Sequence, residues 1–552
     1  MLTCEHICHL PCNKNNDYNL GELGIPSVMT NADIGKKLAT ADTSINESWS
    51  RFLLILRQTV LKDRRVFLVN GKPITACINW LRDHIHEMKG FRHWEYDLKS
   101  YLTFMANQQN EQGFWYEITA VSDNAHITSM ADPPFVKLLP EDGLGLVRLP
   151  LENDIEYLVV QAVLYVFQAT GDEEWAKFML PHLEAGVEYM FTDETRYDKA
   201  SGLVKRPYPI DTWDFDPVHG GADRRIHADS PMVLFHGDNT GLYSAMQILA
   251  DFNRRFGNGE KAAYWEAKAE KLKAAIFAKL WNGKFFRHVI PLNCEPLDGF
   301  EDERLSLSNA YALNRGIFTQ EQAESVIESF IARGKQAGTF AEWFSVNPPY
   351  EKFASHVRDT YINGGIASFT AGELARGAFT HGYEAYGWDI LQRLRALVIR
   401  DGALYFLYDP HTGENLAGGP SGWGAAAIME AVESGLAGIE DADVKLRAMN
   451  YSPRWAVTGI TEIRYITGYE VSASAVDTVF RRDEDSLLFD IASPAEKINA
   501  HLLLPQGTQA CGVIVNGEAV AFAQSEIRAS RYVDLTVQNP DRKRVIIVVS
   551  FR

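Results

Sequence analysis

The chain has 552 residues, too many for one ordinary core, so two or three domains or one large closed assembly with an appendage are expected. Its composition is that of a globular protein, 46% hydrophobic and 23% charged. The formal charge of −18 argues against a nucleic-acid partner, and no apolar run reaches the ~18 residues that would span a membrane.

The first 42 residues are polar and lack a clear period, and read as an N-terminal extension. The opening "MLTCEHICHLPCNKNNDYNL" has neither a basic nor an apolar signal region, so a cytoplasmic protein is expected. Six Cys, most of them far apart, fit reduced thiols in that compartment. Cys4, Cys8 and Cys12 are spaced like no zinc pattern, so no metal is assigned.

From residue 43 to 440 the sequence reads as helices over 43–62, 80–93, 95–109, 152–170, 172–191, 236–256, 260–281, 305–315, 319–334, 359–379, 381–399 and 421–436. The sixth shows the pattern best, with Leu242, Ala245, Met246, Leu249 and Phe252 in one apolar stripe behind cap candidates Asp238, Asn239 and Thr240. Short connectors such as 170–172 and 256–260 alternate with long ones at 110–151, 192–235, 282–304, 335–358 and 400–420. That rhythm predicts a mainly α chain, an (α/α)6 toroid of six helical hairpins over 43–440 with its long links on one face. Residues 441–552 hold short β-rich runs such as "KRVIIVVSF" between Asn-Gly and Pro-Gln-Gly turns, and predict a small antiparallel β domain, sandwich-like.

The long links carry the chemistry. "YPIDTWDFDPVHGGADRRIHADS" (208–230) gathers five Asp, two His, two Arg and Trp213. Asp214, between Trp213 and Phe215, has apolar flanks that raise a carboxyl pKa, as a proton donor needs. Arg82 and Asp83, at a helix start, can grip hydroxyls as donor and acceptor. The links also supply Asp211, Arg224, His227, Asp238, Glu342, Trp343, Asn363, Glu414 and Trp423. Aromatic faces bury the apolar face of a pyranose, and carboxylates and guanidinium groups fix its hydroxyls. No Gly-rich phosphate loop, serine elbow or metal-ligand cluster competes with this reading, and no cofactor is expected.

"DTWDF" (211–215) resembles the segment in which trehalases of the six-hairpin glycosidase superfamily carry their general-acid Asp. "NWLRDHIHEMKG" (79–90) is similar to the first barrel helix of processing α-glucosidases, and "YDPHTGENLAGGPSGWGAAAIMEAV" (408–432) to the passage into their last one. The tail "HLLLPQGTQACGVIVNG" (501–517) is similar to the β domain of α-L-rhamnosidases. The resemblance implies a glycoside hydrolase acting on a small oligosaccharide or glycoside, inverting, with Asp214 as general acid. The full trehalase signatures are absent. The glucosidase branch often places its base Glu just before Tyr-Asp-Pro, where this chain has Phe406 and Leu407. Glu342, then Glu414, are the base candidates, and Arg82, Asp83, Asp211, Trp213, Arg224, His227, Asp238, Trp343, Asn363 and Trp423 the candidates for holding the sugar. The alternatives are an epimerase or polysaccharide lyase using His219, His227 or His236 as base, or a carbohydrate-binding protein without catalysis.

Overall fold

A computed structural model describes residues 38–40, 43–125, 129–213, 217–219 and 224–552. Twelve α-helices lie wholly among them: α1 Thr43–Lys62, α2 Leu81–Phe91, α3 Ser100–Gln108, α4 Ile155–Thr170, α5 Glu173–Thr192, α6 His236–Arg255, α7 Gly259–Leu280, α8 Leu307–Ala312, α9 Gln320–Ala337, α10 Ser368–Thr380, α11 Glu384–Asp401 and α12 Gly422–Glu430. Several ends are set by local chemistry. Asp172, Asn258 and Ser421 cap α5, α7 and α12 through their side chains, and Thr319 with Gln322 forms a capping box on α9. The apolar stripe of α6 is fully inside. Its start differs from the expectation: the strand Met232–Phe235 runs straight into His236, so Asp238, Asn239 and Thr240 occupy the first turn instead of the cap. Asn239 then works sideways, bonding the backbone of Val204 at 2.8 and 2.9 Å.

The even-numbered helices touch in a closed ring, α2 on α4, α6, α8, α10 and α12 in turn, and α12 back on α2. The odd-numbered helices pack outside them. Small residues close the ring. A Cβ on Gly372 of α10 would stand 2.6 Å from the carbonyl carbon of Ala427 in α12, and one on Gly90 of α2 would stand 3.5 Å from Ala426. The axis is filled by charge, with Lys89 paired to Glu373 and Arg92 to Glu430. Chain direction does the rest. The links leading into the even helices are long, while the turns leaving them can be as short as residues 171–172 and 256–258. All six N-termini of the inner ring therefore open on one face, here called the mouth.

The expectation of a mainly α chain is corrected, because 39% of the protein is helical and 26% is strand. The reason lies in backbone pairing, which segments of only two to six residues do not announce. The long links carry their own hairpins and small sheets, among them Arg65–Val69 with Lys72–Ala76, and Ile366–Ala367 with Tyr405–Tyr408 and Asn415–Pro420. The C-terminal part is a seven-stranded and a five-stranded sheet, and Ala448–Tyr451 runs parallel to Lys497–Leu503. Leu38–Thr40, ahead of α1, adds an edge strand against Glu462–Tyr469. These sheets cap the ring at the end opposite the mouth. Glu384, first in α11, accepts from Ser530 (2.7 Å) and from Tyr532, and His93, just past α2, bonds the Gly468 carbonyl at 2.9 Å. No described helix is long and apolar enough to cross a membrane.

Gly372→Ala should lower unfolding stability by roughly 1–3 kcal/mol, the usual cost of overpacking a tight contact. Urea unfolding measures it, and an unchanged midpoint would mean that α10 and α12 are not pinned there.

Candidate active site

Arg82, in the first turn of α2, is buried at the mouth. Its Nε donates to Asp154 at 2.6 Å and a terminal nitrogen donates to the other Asp154 oxygen at 2.7 Å. Glu152 lies 2.7 Å from the same guanidinium. Arg206 lies 3.4 Å from Asp238 in the first turn of α6, and donates to the Trp213 carbonyl at 3.1 Å. Carboxylates collect here because helix N-termini carry partial positive charge. Burial nevertheless pushes Asp238 up to about 6, against the pull of Arg206.

Asp83 follows Arg82 but points elsewhere on the helix. It keeps some exposure, yet burial lifts its pKa to about 7 against the pull of Arg82, with Asp63 and Asp154 adding like-charge pressure. A carboxyl poised near neutrality can both accept from and donate to a hydroxyl. One turn further in, at i+4, Glu87 receives the Cys77 thiol at 2.6 Å, and burial raises its pKa well above the ordinary range.

Facing α2 is a wall of rings. Trp213 and Trp423 lie parallel (5°) with centroids 6.1 Å apart, and Phe369 stacks on both, 6.0 Å from Trp213 and 4.8 Å from Trp423. Phe406 completes the cluster at 5.8 Å from Trp213 and 5.0 Å from Phe369. Trp213 Nε1 donates to Tyr361 Oη at 3.1 Å, and Trp423 Nε1 donates to Tyr311 Oη at 2.7 Å. The indoles are thereby oriented as well as buried. The position before Tyr-Asp-Pro, where a base Glu was sought, thus holds a ring of the wall.

The sequence-selected residues divide into three groups. Arg82, Asp83, Trp213, Asp238 and Trp423 meet at the mouth. Asp211, Asn363, Arg224 and His227 lie in links that frame it. Buried Asp211, at φ 49°, accepts from the Ser308 hydroxyl (2.5 Å) and backbone (3.1 Å), and so straps the 208–213 segment to α8. Asn363 is spent on the backbone of Tyr350, bonding it at 2.9 Å from both sides. Arg224 is buried, and His227 sits ring to ring with His219 at 4.3 Å. Asp214 lies outside the described residues, as do Cys4, Cys8 and Cys12.

Glu342 and Trp343 are corrected. Glu342 takes a two-pronged ion pair from Arg393 (2.7 and 2.9 Å) and a bond from Tyr386 (2.6 Å), both on outer helix α11. Burial opposes its charge, but those partners win and hold its pKa below the ordinary value. A carboxylate so engaged in the outer layer is no base. Trp343 is buried beside it, with the Arg393 guanidinium 4.8 Å over its ring, apart from the wall. Glu414 is exposed on the turn between Tyr408 and Asn415, a turn tied to the neighbouring link by His411 and Asp359 at 3.3 Å. Of the other chemistry considered, His236 is buried with its Nε2 on Ser306 Oγ at 3.0 Å. Sequence reasoning passed over Arg206, Tyr361 and Phe369. Each sits in an ordinary-looking strand, turn or helix; aromatics recurring on successive links pointed toward Tyr361, while nothing local marked Arg206 or Phe369.

No group of His, Cys, Asp or Glu among the described residues could hold a metal ion. The arrangement gathers a cluster of buried rings, a carboxyl near neutrality at the start of α2, and the buried ion pairs of Arg82 and Arg206.

The pKa of Asp83 sets a test. The unfolded chain loses this proton near pH 4 and the folded chain near pH 7, so stability falls as pH rises across that window. Asp83→Asn removes the effect and should raise the melting temperature at pH 8 while leaving it unchanged near pH 4. Equal shifts at both pH values would contradict the raised pKa.

The profile of the mannosylglycerate hydrolase MGH1-like glycoside hydrolase domain family matches residues 77–424. A search among curated proteins matched none. Among solved structures, the chain is similar to an α-L-rhamnosidase from Dictyoglumus thermophilum, with 12% identity and a TM-score of 0.58, covering 95% of this chain and 51% of that one. It is also similar to a GH78 rhamnosidase from a Bacillus species, with 15% identity and a TM-score of 0.57, covering 85% of this chain and 43% of that one. A GH63 mannosylglycerate hydrolase from Thermus thermophilus aligns at 15% identity and a TM-score of 0.50, covering 69% of this chain and 99% of that one. The chain spans about half the length of the two rhamnosidases, and at these identities the likeness is one of fold. The family match is of another order: it takes in more than half of the 552 residues, from just before α2 to the first turn of α12, and so the chain belongs to the family of MGH1-like glycoside hydrolase domains.

Proposed function

We propose that this protein hydrolyses the glycosidic bond of a small glycoside or oligosaccharide at the mouth of the inner ring. The observation that carries the reading is that the family match takes in α2, α4, α6, α8 and α10, the first turn of α12 and all the links that build the mouth except the first part of the one before α2. The sugar ring stacks on the Trp213–Trp423 wall, and Asp83 grips its hydroxyls. Asp214 protonates the leaving oxygen. What supports this role is its chain neighbour Trp213, built into the wall with its carbonyl held by Arg206. A general acid needs a carboxyl kept protonated near neutral pH, and apolar neighbours in the chain favour that.

The reaction inverts the anomeric centre. A second carboxylate, roughly 6.5–9.5 Å from the acid, takes a proton from water on the opposite face of the sugar. Of the two residues selected for this role, Glu414 is the one open to solvent, and it is the proposed base.

The test is a panel of aryl α- and β-glycosides, aryl α-L-rhamnosides, disaccharides and mannosylglycerate, with the first-formed anomer read by proton NMR. Asp214→Asn should lose at least ~100-fold in kcat on the substrate that is cleaved. Glu414→Gln should lose a similar factor, whereas Glu342→Gln should lower the melting temperature and keep kcat within about twofold. An Asp214→Asn enzyme as fast as wild type would remove Asp214 from the mechanism. A retained anomeric configuration would remove inversion.

A further inference from the structure

His86 lies on α2 one turn inside Asp83, on the side that meets the wall. Its imidazole lies flat on Trp423, with centroids 4.0 Å apart and planes at 7°, and Tyr311 meets it edge-on at 5.5 Å. Trp423 is itself fixed by its bond to Tyr311, so the three rings form one rigid unit at the floor of the mouth. Only 5% of the residue is exposed, and its Nδ1 has no hydrogen-bond partner among the described residues. A buried polar atom without a partner costs about 1–3 kcal/mol, so such a group calls for a reason.

Several reasons fail here. Metal binding fails, because no suitable cluster of ligands exists among the described residues. A cationic, anion-binding imidazole fails too. Burial and then the charges of Lys89, Arg82 and Arg315 hold its pKa well below the usual histidine range, so the ring is neutral near neutral pH. Stacking alone needs no nitrogen, since a phenyl ring would pack on Trp423 as well. What remains is a neutral ring with a donor on one side and an acceptor on the other. Its natural complement is a hydroxyl group, which also donates and accepts.

We propose that His86 is a substrate-binding residue whose ring nitrogen hydrogen-bonds a hydroxyl of the sugar bound at the mouth. The assignment rests on the glycosidase reading of the mouth and adds a specificity contact to it. Asp83 and His86, one helical turn apart, then hold two different hydroxyls of the same ring, so that a sugar epimeric at the contacted carbon is rejected.

The test uses the full chain labelled with 15N-histidine, and D-mannose, D-glucose and L-rhamnose as probes. His86 is identified as the signal lost in His86→Phe, which keeps an aromatic ring on Trp423. Its nitrogens should stay at neutral-imidazole shifts from pH 5 to 9 and should move when one of the sugars is added. On the glycoside that the protein cleaves, His86→Phe should lose about 10-fold or more in kcat/KM, and that loss should vanish on the deoxy substrate lacking the contacted hydroxyl. His86→Gln, which restores a hydrogen-bonding group, should recover part of it. Hydrolysis with unaltered kcat/KM in His86→Phe would overturn the contact and leave the hydrolase reading standing. Sugar-induced shifts without hydrolysis of any substrate would do the reverse. Shifts with none of the three sugars would overturn the proposal.

Discussion

The mouth depends on one buried guanidinium. Arg82 is fixed in two prongs by Asp154 and touched by Glu152, so the first turns of α2 and α4 are locked together. Losing one partner of such a group would leave the other charged and unpaired away from water, at a cost of ~3–5 kcal/mol. Everything near it inherits the constraint. Glu117, whose pKa burial raises and which bonds Glu152, receives the Leu149 backbone at 2.5 Å and so fixes the chain entering α4. Arg148, fully buried, reaches Glu156 at 3.0 Å and the Glu152 carbonyl at 2.7 Å. With Arg82 turned toward α4, its pull on Asp83 is outweighed by burial, which raises that carboxyl's pKa.

The aromatic wall is the second fixed element, and it is assembled from distant stretches. Trp213 comes from the link before α6, Phe369 from α10, Phe406 from the strand Tyr405–Tyr408 and Trp423 from α12 itself. The bonds from the indoles to Tyr361 and Tyr311 make the wall a defined surface, where packing alone would leave the rings free to tilt. Phe406 gives this mouth its particular character, since apolar surface stands where carboxylate chemistry was sought. The ring cluster is apolar, and the ion pairs of Arg82 and Arg206 lie at the neighbouring helix starts.

Much of the helical scaffold was legible from periodicity. The stripe of α6, the short turns at 171–172 and 256–258 and the long links between hairpins each follow from local rules of spacing and capping, and the ring's closure follows from their alternation. Arg82, Asp83 and Trp423 were legible as chemistry-rich residues at helix starts, and Trp213 as one in a long link. Glu342 was misread because a carboxylate beside a tryptophan in a long link looks the same whether it meets water or an arginine. The strands inside the links were missed although several are apolar, Arg65–Val69, Leu144–Val147 and Met232–Phe235 among them, because runs of four or five residues do not show which neighbouring backbone they pair with.

By itself, then, the sequence determined that successive helices lie along 43–440 and which residue types gather in the links, because those properties depend on neighbours within a few positions. Several helix ends moved, the one expected from 359 starting at Ser368 and the one expected from 95 at Ser100. Tertiary structure alone decided which of those residues share a space. Arg393 claimed Glu342, Ser308 claimed Asp211, and Asp154 claimed Arg82. It also decided that His86 would be pressed against Trp423 without a partner for its Nδ1. The physical reason is that charge pairing and burial act through space. Between groups far apart in the chain, such as Glu342 and Arg393, their strength depends on distances that no local pattern encodes.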